Sequence, residues 1–262
     1  MQFKTLKITK TEFTATVKLS RTEVRNAFDD VLIAELIRAL ADLAAAGMRV
    51  LILTGGGETF CAGADLHWMK RMAGFDYEEN LEDARRLAEL LEVLYNFPGA
   101  TIARVNGPAI GGGVGLVAAC DIAVAGTNAV FSLSEVRLGL VPSCIAPYVI
   151  RRIGEKNARE YFLTGSRFDS AKAEQMGLVN TVVDPGALDG EINKRTGNLL
   201  RCGPEAVKSC KELIARSSME SISELKEYTA RLIADLRISA EGQEGIRAFF
   251  DKRRPAWDKS EG

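Results

Sequence analysis

Residues 3–8 and 13–19 alternate apolar with polar or β-branched side chains, the period-2 pattern of paired strands. The period then lengthens. Leu32, Ile33, Leu36, Ile37, Leu40 and Leu43 form one helical stripe that runs to Ala44, with Asp29 or Asp30 placed to cap it. Residues 50–54 are a short apolar run that stops at Gly55-Gly56-Gly57 and predicts a buried strand. A charged amphipathic helix over about 78–95 follows, then strands at 101–105 and 121–125 separated by a glycine-rich loop and a short helix. Buried β-runs alternating with helices predict an α/β fold with largely parallel pairing, because parallel neighbours need crossover connections.

After Val182-Val183 the strand signal fades, and residues 188–201, 204–216, 221–236 and 241–250 read as successive helices. The predicted organisation is an α/β core over 1–200 and a helical region over 201–262 that serves packing and oligomerisation. No internal repeat or flexible linker interrupts it.

Composition narrows the chemistry. The 262 residues carry 34 Lys+Arg against 35 Asp+Glu, a net charge of −1, with no long basic run. Nucleic acid and membrane surfaces are therefore not expected partners, since both are recognised through clustered cations. A single histidine, His67, cannot build a multi-histidine metal site, so no metal is expected. The five cysteines are odd in number and lack CxxC spacing, as reduced thiols do, and the start MQFKTLKITK has no apolar signal region. The longest uncharged stretch, 105–120, is broken by glycines and does not suit a membrane span. A cytoplasmic location, or an organelle matrix, is the expectation.

Two glycine loops carry most of the chemical information. The first, Gly55-Gly-Gly-Glu-Thr-Phe-Cys-Ala-Gly63-Ala64-Asp65-Leu66, directly follows a buried strand. The second is Asn106-Gly-Pro-Ala-Ile-Gly111-Gly112-Gly113-Val-Gly115. Glycine allows the backbone to approach a ligand and turn amide N–H groups toward it, and α/β proteins place ligands beyond the carboxyl ends of parallel strands. Gly113-Val-Gly115-Leu-Val-Ala118 formally fits G-x-G-x-x-A, but Asn106 to Gly112 intervene between it and the preceding strand, against a dinucleotide site. No P-loop motif occurs.

The ordered set Phe60-Cys-Ala-Gly-Ala-Asp-Leu66, Asn106-Gly-Pro-Ala-Ile-Gly-Gly-Gly113, Ala119-Cys-Asp-Ile-Ala-Val-Ala125 and Leu133-Ser-Glu-Val-Arg-Leu-Gly-Leu-Val-Pro142 resembles the crotonase (enoyl-CoA hydratase/isomerase) superfamily. Matches continue through Leu163-Thr-Gly-Ser-Arg-Phe168 to Glu244-Gly-Ile-Arg-Ala-Phe-Phe-Asp-Lys-Arg253. The stretch 133–149 looks closest to hydratases of methylglutaconyl-CoA and geranoyl-type substrates. The resemblance implies a spiral of ββα turns, a homotrimer or homohexamer, and an acyl-CoA thioester as substrate with no separate cofactor, coenzyme A being part of the substrate. It implies that the amides of Ala64 and Gly112 hold the thioester oxyanion, each such donor being worth ~2.7–4 kcal/mol. It places coenzyme A along Ala62, Ala64, Asp65, Leu66 and His67, with Arg25 and Ala27 nearby, and Lys252 within reach of a phosphate of a neighbouring subunit.

The hydratase pattern uses two glutamates. One is present as Glu135; the position of the other is Gly115. Hydration of a 2-enoyl-CoA, with branched and carboxylated acyl groups among the candidates, is the favoured expectation, Glu135 both orienting water and protonating C2; a 3-enoyl/2-enoyl isomerase, for which a single carboxylate suffices, is the alternative. Decarboxylation, or coenzyme A binding without catalysis, are the further alternatives. Were the acyl group carboxylated, Arg137 or Arg104 is expected to pair with it. Met69, Met72 and Phe75 are expected to wall the acyl chain. Cys61 and Cys144 have no basic partner that would activate them.

Overall fold

The computed structural model describes residues 3–258. The chain opens with β1 (Leu6–Lys10) and β2 (Thr14–Leu19), an antiparallel pair. Helix α1 (Asp30–Ala45) leads to β3 (Val50–Gly55); α2 (Leu66–Met72) and α3 (Tyr77–Tyr95) lead to β4 (Ala100–Val105). Then come β5 (Ala109–Ile110), α4 (Gly112–Ala119), β6 (Ile122–Gly126), β7 (Val130–Ser132) and α5 (Ala146–Thr164), which is broken at Gly154 by its φ of +72°. The core closes with β8 (Arg167–Asp169), α6 (Ser170–Met176), β9 (Thr181–Val183) and α7 (Leu188–Leu200). Three helices follow: α8 (Pro204–Ser217), α9 (Ile222–Ile238) and α10 (Ala240–Phe250).

A six-stranded sheet runs β1-β2-β3-β4-β6-β9, parallel throughout except for β1, and a three-stranded sheet runs β5-β7-β8. Successive turns of the chain thus add one strand to the large sheet and one to the small sheet before a helix closes the turn. This is the spiral of ββα turns that the resemblance implies. The small sheet is extended at its edge by bridges from Cys61 to Ala109 and from Phe28 to Ala64.

Strand periodicity decides which helix covers which face. Leu51, Leu53, Ala103, Val105, Ala123 and Ala125 point into the main core with α1, α3 and α4; Val50, Ile52, Ile102 and Val124 point the other way, onto Leu188 and Ile192 of α7. Helix α1 starts as the pattern requires: Asp29 accepts from the Leu32 amide at 2.7 Å, and the apolar stripe is buried, Ile37 only in part. Helix α3 begins in a capping box of Asp76 and Glu79. Among the described residues no helix is long and apolar enough to cross a membrane.

The last helices are fastened at the amino ends of the parallel strands. Just before β3, Arg49 donates to the carbonyls of Leu200, Cys202 and Trp257 at 2.7–2.8 Å. From α8, Lys211 donates to the carbonyls of Phe97 (2.7 Å) and Gly99 (3.0 Å) and to the Asp121 carboxylate (2.8 Å). Asp121 also accepts from the Thr101 amide at 2.7 Å and hydroxyl at 2.9 Å, joining β4, β6 and α8 at one carboxylate. The site loops leave the opposite, carboxyl ends of β3 and β4.

Asp121→Ala strands a buried amide and a lysine together, so it should lower unfolding free energy by ~2–4 kcal/mol. Urea denaturation measures the loss, and Asp121→Asn, which keeps an acceptor for Thr101, should recover a substantial part of it.

Candidate active site

The two glycine loops lie edge to edge because the backbone of one fills the space that a Cβ of the other would need. A Cβ on Gly107 would stand 1.8 Å from the Glu58 carbonyl oxygen, and one on Gly113 would stand 2.5 Å from that of Cys61. Asn106 locks the pair, accepting from the Gly55 amide at 3.0 Å and donating to the Gly57 carbonyl at 2.9 Å. Asn26, buried in the left-handed region, ties the first loop to the chain after β2 by donating to the carbonyls of Gly56 (2.9 Å) and Thr59 (2.8 Å).

Ala64 and Gly112 border the same cavity of ≈ 370 Å³. On either side of Ala64, the Phe28 amide donates to Gly63 at 2.6 Å and the Asp65 amide donates to Phe28 at 2.8 Å, so the Ala64 N–H lies outside that ladder. Gly112 is the first residue of α4, where a helix leaves its N–H groups without intrahelical acceptors and carries partial positive charge. Gly111 before it has φ +50° and ψ −118°, a conformation open to glycine, and a Cβ there would stand 2.9 Å from Glu135 Oε1. The Glu135 carboxylate therefore lies directly over the turn that presents the Gly112 amide.

Glu135 opens a short 3₁₀ turn after β7 and also borders the cavity. Its Oε2 is buried without a hydrogen-bond partner. Burial pushes this carboxyl above its ordinary value, offset in part by a bond from its own backbone N–H. Such a group holds a proton more readily than an exposed carboxylate, and the two loop amides can stabilise an anion beside it.

Of the other expected site residues, Ala62 and Leu66 line the cavity with Ala64 and Gly112; Arg25, Ala27, Asp65, His67 and Lys252 do not. Arg25 is exposed beside the first loop, its carbonyl accepting from the Ala62 amide at 3.0 Å. Ala27 is buried, its carbonyl taken by Arg21. Asp65 caps α2 by accepting from the His67 (2.7 Å) and Trp68 (3.3 Å) amides, so both Asp65 and the His67 backbone are engaged in the helix start. Burial raises the Asp65 carboxyl, but those amides and the Arg21 guanidinium outweigh it and hold the group below its usual value. Lys252 follows α10, and the chain just beyond it is fastened through Trp257 to Arg49, at the amino end of β3. Met69 and Met72 line the cavity and Phe75 does not. Cys144 lines it too, whereas Cys61 is buried and its thiol is pushed up to about 12 by burial.

Gly115 requires a correction. It lies within α4 but does not border the cavity: a Cβ there would stand 2.3 Å from Ile145 Cγ2 and 3.5 Å from Leu91. Ile145, from the start of α5, fills that space and itself forms cavity wall. The missing second carboxylate is thus a position already packed with aliphatic carbon, and simple insertion of a glutamate there overfills it. Arg104 and Arg137, expected near a carboxylated acyl group, are also elsewhere. Arg104 pairs with Asp189 at 2.7 Å, on the α7 side of the large sheet, and Arg137 packs on Gly165.

Sequence reading missed Arg21, Asn26, Phe28 and Asp83. Arg21 reaches Asp29 (2.8 Å), Asp65 (2.9 Å) and the Ala27 carbonyl, and the Phe28 ring packs where a Cβ on Gly112 would stand, 2.8 Å away. The polar Asn26 and Asp29 bracketing the apolar Ala27-Phe28 were the available signal. Asp83 comes to the cavity from α3.

Residues 9–260 match the enoyl-CoA hydratase/isomerase family model. Among solved structures, the chain is similar to an enoyl-CoA hydratase from Shewanella pealeana, at 40% identity and TM-score 0.94 over 98% of this chain and 97% of that one. It is similar also to AtuE from Pseudomonas aeruginosa, at 35% identity and TM-score 0.95 over 98% and 100% of the two chains. It is 32% identical over 239 residues to 2,3-dehydroadipyl-CoA hydratase from Escherichia coli, covering 90% of this chain and 92% of that protein.

The Gly115 and Ile145 contact is testable by a double-mutant cycle on unfolding free energy. Gly115→Ala alone should cost ~1–3 kcal/mol by overpacking. Combined with Ile145→Ala, it should cost at least ~1 kcal/mol less than the sum of the single changes.

Proposed function

From the premise that the chain belongs to the enoyl-CoA hydratase/isomerase family, we propose that it adds water reversibly to a 2-enoyl-CoA thioester, with Glu135 as the single acid/base. The observation that carries the reading is one juxtaposition. A half-buried carboxylate whose Oε2 has no hydrogen-bond partner lies against Gly111, beside the Gly112 amide and in one cavity with Ala64.

In this reading the thioester oxygen accepts from the Ala64 and Gly112 amides, which hold the charge that builds as C3 is attacked. Glu135 takes a proton from water as its oxygen bonds to C3, then delivers that proton to C2. The product carries OH at C3 and H at C2, and Glu135 returns to its starting state. The acyl group is read as uncharged, because neither Arg104 nor Arg137 borders the cavity. Coenzyme A is assigned to the side where Arg25 meets Ala62, and a trimer or hexamer is assigned to the assembly.

One observation favours a second reading. Ile145 presents aliphatic carbon where a second polar group would hold water. A lone base in such a site can remove a C2 proton from a 3-enoyl thioester and return it at C4, moving the double bond without adding water.

Supplying 2-enoyl- and 3-enoyl-CoA in D2O separates the two. Hydration should leave deuterium at C2 with a hydroxyl at C3, and a product with a shifted double bond and no added oxygen assigns isomerisation. Glu135→Gln should lower kcat by ~10²–10⁴-fold. Because Glu135 is raised in the folded state, its stabilising contribution is present below the unfolded pKa and is lost as pH rises through the folded one. Glu135→Gln should therefore be more stable than wild type at neutral pH, with the difference shrinking as pH falls through the acidic range. Thermal melts across pH measure it.

A further inference from the structure

The cavity has a second charged wall. Asp83, from α3, borders it beside Trp68, Met69, Met72, Leu87 and Cys144, and among the described residues no Lys, Arg or His borders it at all. Asp83 is poorly compensated. The Trp68 side chain lies close enough to pull its carboxyl down, while the nearby Arg71 is drawn off to Asp30 at 2.5 Å. Burial first, and then the Asp30 charge, push the Asp83 carboxyl above its usual value against the opposing pull of Trp68 and Arg71.

With the thioester at Ala64 and Gly112 and the reacting carbons beside Glu135, the acyl tail has the space bounded by Trp68, Met72, Asp83 and Leu87. A methyl end meets thioether and aliphatic surface there, and a hydroxyl finds an acceptor. A carboxylate end would shed water and face a like charge, with no cation lining the cavity to pair with it.

We propose that Asp83 is a specificity-determining residue that excludes acyl-CoA esters with an anionic chain end and so selects neutral acyl chains. The inference rests on the acyl-CoA reading above and sets this chain apart from a relative named for a diacid substrate.

Hexanoyl-CoA and adipyl-CoA share a six-carbon chain and differ only at its end, so calorimetric binding of the two reads selectivity without turnover. Their 2-enoyl counterparts read it in kcat/KM. The wild type should favour hexanoyl-CoA by at least about tenfold, and Asp83→Asn should bring the ratio to within about threefold by strengthening adipyl-CoA more than hexanoyl-CoA. Asp83→Ser should act in the same direction, which guards against one variant failing to fold. Adipyl-CoA binding as tightly as hexanoyl-CoA in the wild type, or a ratio unmoved in both variants, overturns the proposal. Selectivity in binding without turnover of either enoyl ester overturns the hydratase reading and upholds the role of Asp83. Turnover without selectivity does the reverse.

Discussion

The site depends on how one arginine is satisfied. Arg21 is mostly buried, and its guanidinium meets the two helix-capping aspartates, Asp29 and Asp65, together with the carbonyl of Ala27. A charge in such a place is tolerated only when its partners are fixed, and fixing these partners fixes the starts of α1 and α2. Between the two caps lies Phe28. Its backbone brackets Ala64 through bonds to Gly63 and Asp65, and its ring presses against Gly112. The spacing of the two loop amides is therefore set by a packed aromatic ring, and the ring is set by the arginine. Asn26 adds the vertical restraint, tying the same segment to the carbonyls of Gly56 and Thr59.

Glu135 is the counterpart to this rigidity. Most polar groups around the site are paired, yet one carboxylate oxygen is buried with nothing to bond. A buried oxygen without a partner costs stability, and in the proposed reaction a bound molecule would supply that partner. Gly111 makes the arrangement possible twice over. Its positive φ turns the chain into α4, and its lack of a Cβ leaves room for the carboxylate. A side chain there would both strain the turn and push Glu135 away from the turn that presents the Gly112 amide.

The repetition of the fold was legible in the sequence because local period and burial agree. The apolar runs at β3 and β4, the stripe of α1 and the polar surface of α3 each specify their element without distant help. Short strands of the small sheet were not legible: β7 and β8 span three residues each, and only their pairing across the chain makes them strands. Helix α5 is interrupted by Gly154, which hides its period. The site was legible where backbone does the work, because glycine spacing at Gly111 to Gly113 marks a close approach. It was not legible where long side chains reach across the molecule. Nothing local in the sequence shows that Arg21 meets residue 65, that Ile145 sits on Gly115, or that one carboxylate of acidic α3 turns inward while its neighbours Glu82 and Arg85 face solvent.

That inward turn of Asp83 and the packing of Ile145 bear on the same question, which is how a site with Glu135 as the proposed sole acid/base would control protons. With two glutamates flanking the substrate, one can hold water while the other meets C2. Here the space beside Gly115 is aliphatic, so in the proposed hydration water has one carboxylate to orient it and the same group must deliver the proton. That is possible only if attack at C3 and protonation at C2 occur on one face of the double bond, within reach of both oxygens of Glu135. Asp83 does not relieve the shortage. It stands on the α2–α3 wall among Trp68, Met72 and Leu87, whereas Glu135 lies over Gly111 at the start of α4. The two carboxylates thus divide the cavity by task. In the proposed hydration one stands at the amides where charge would develop, and the other stands along the proposed path of the tail, where charge would be unwelcome.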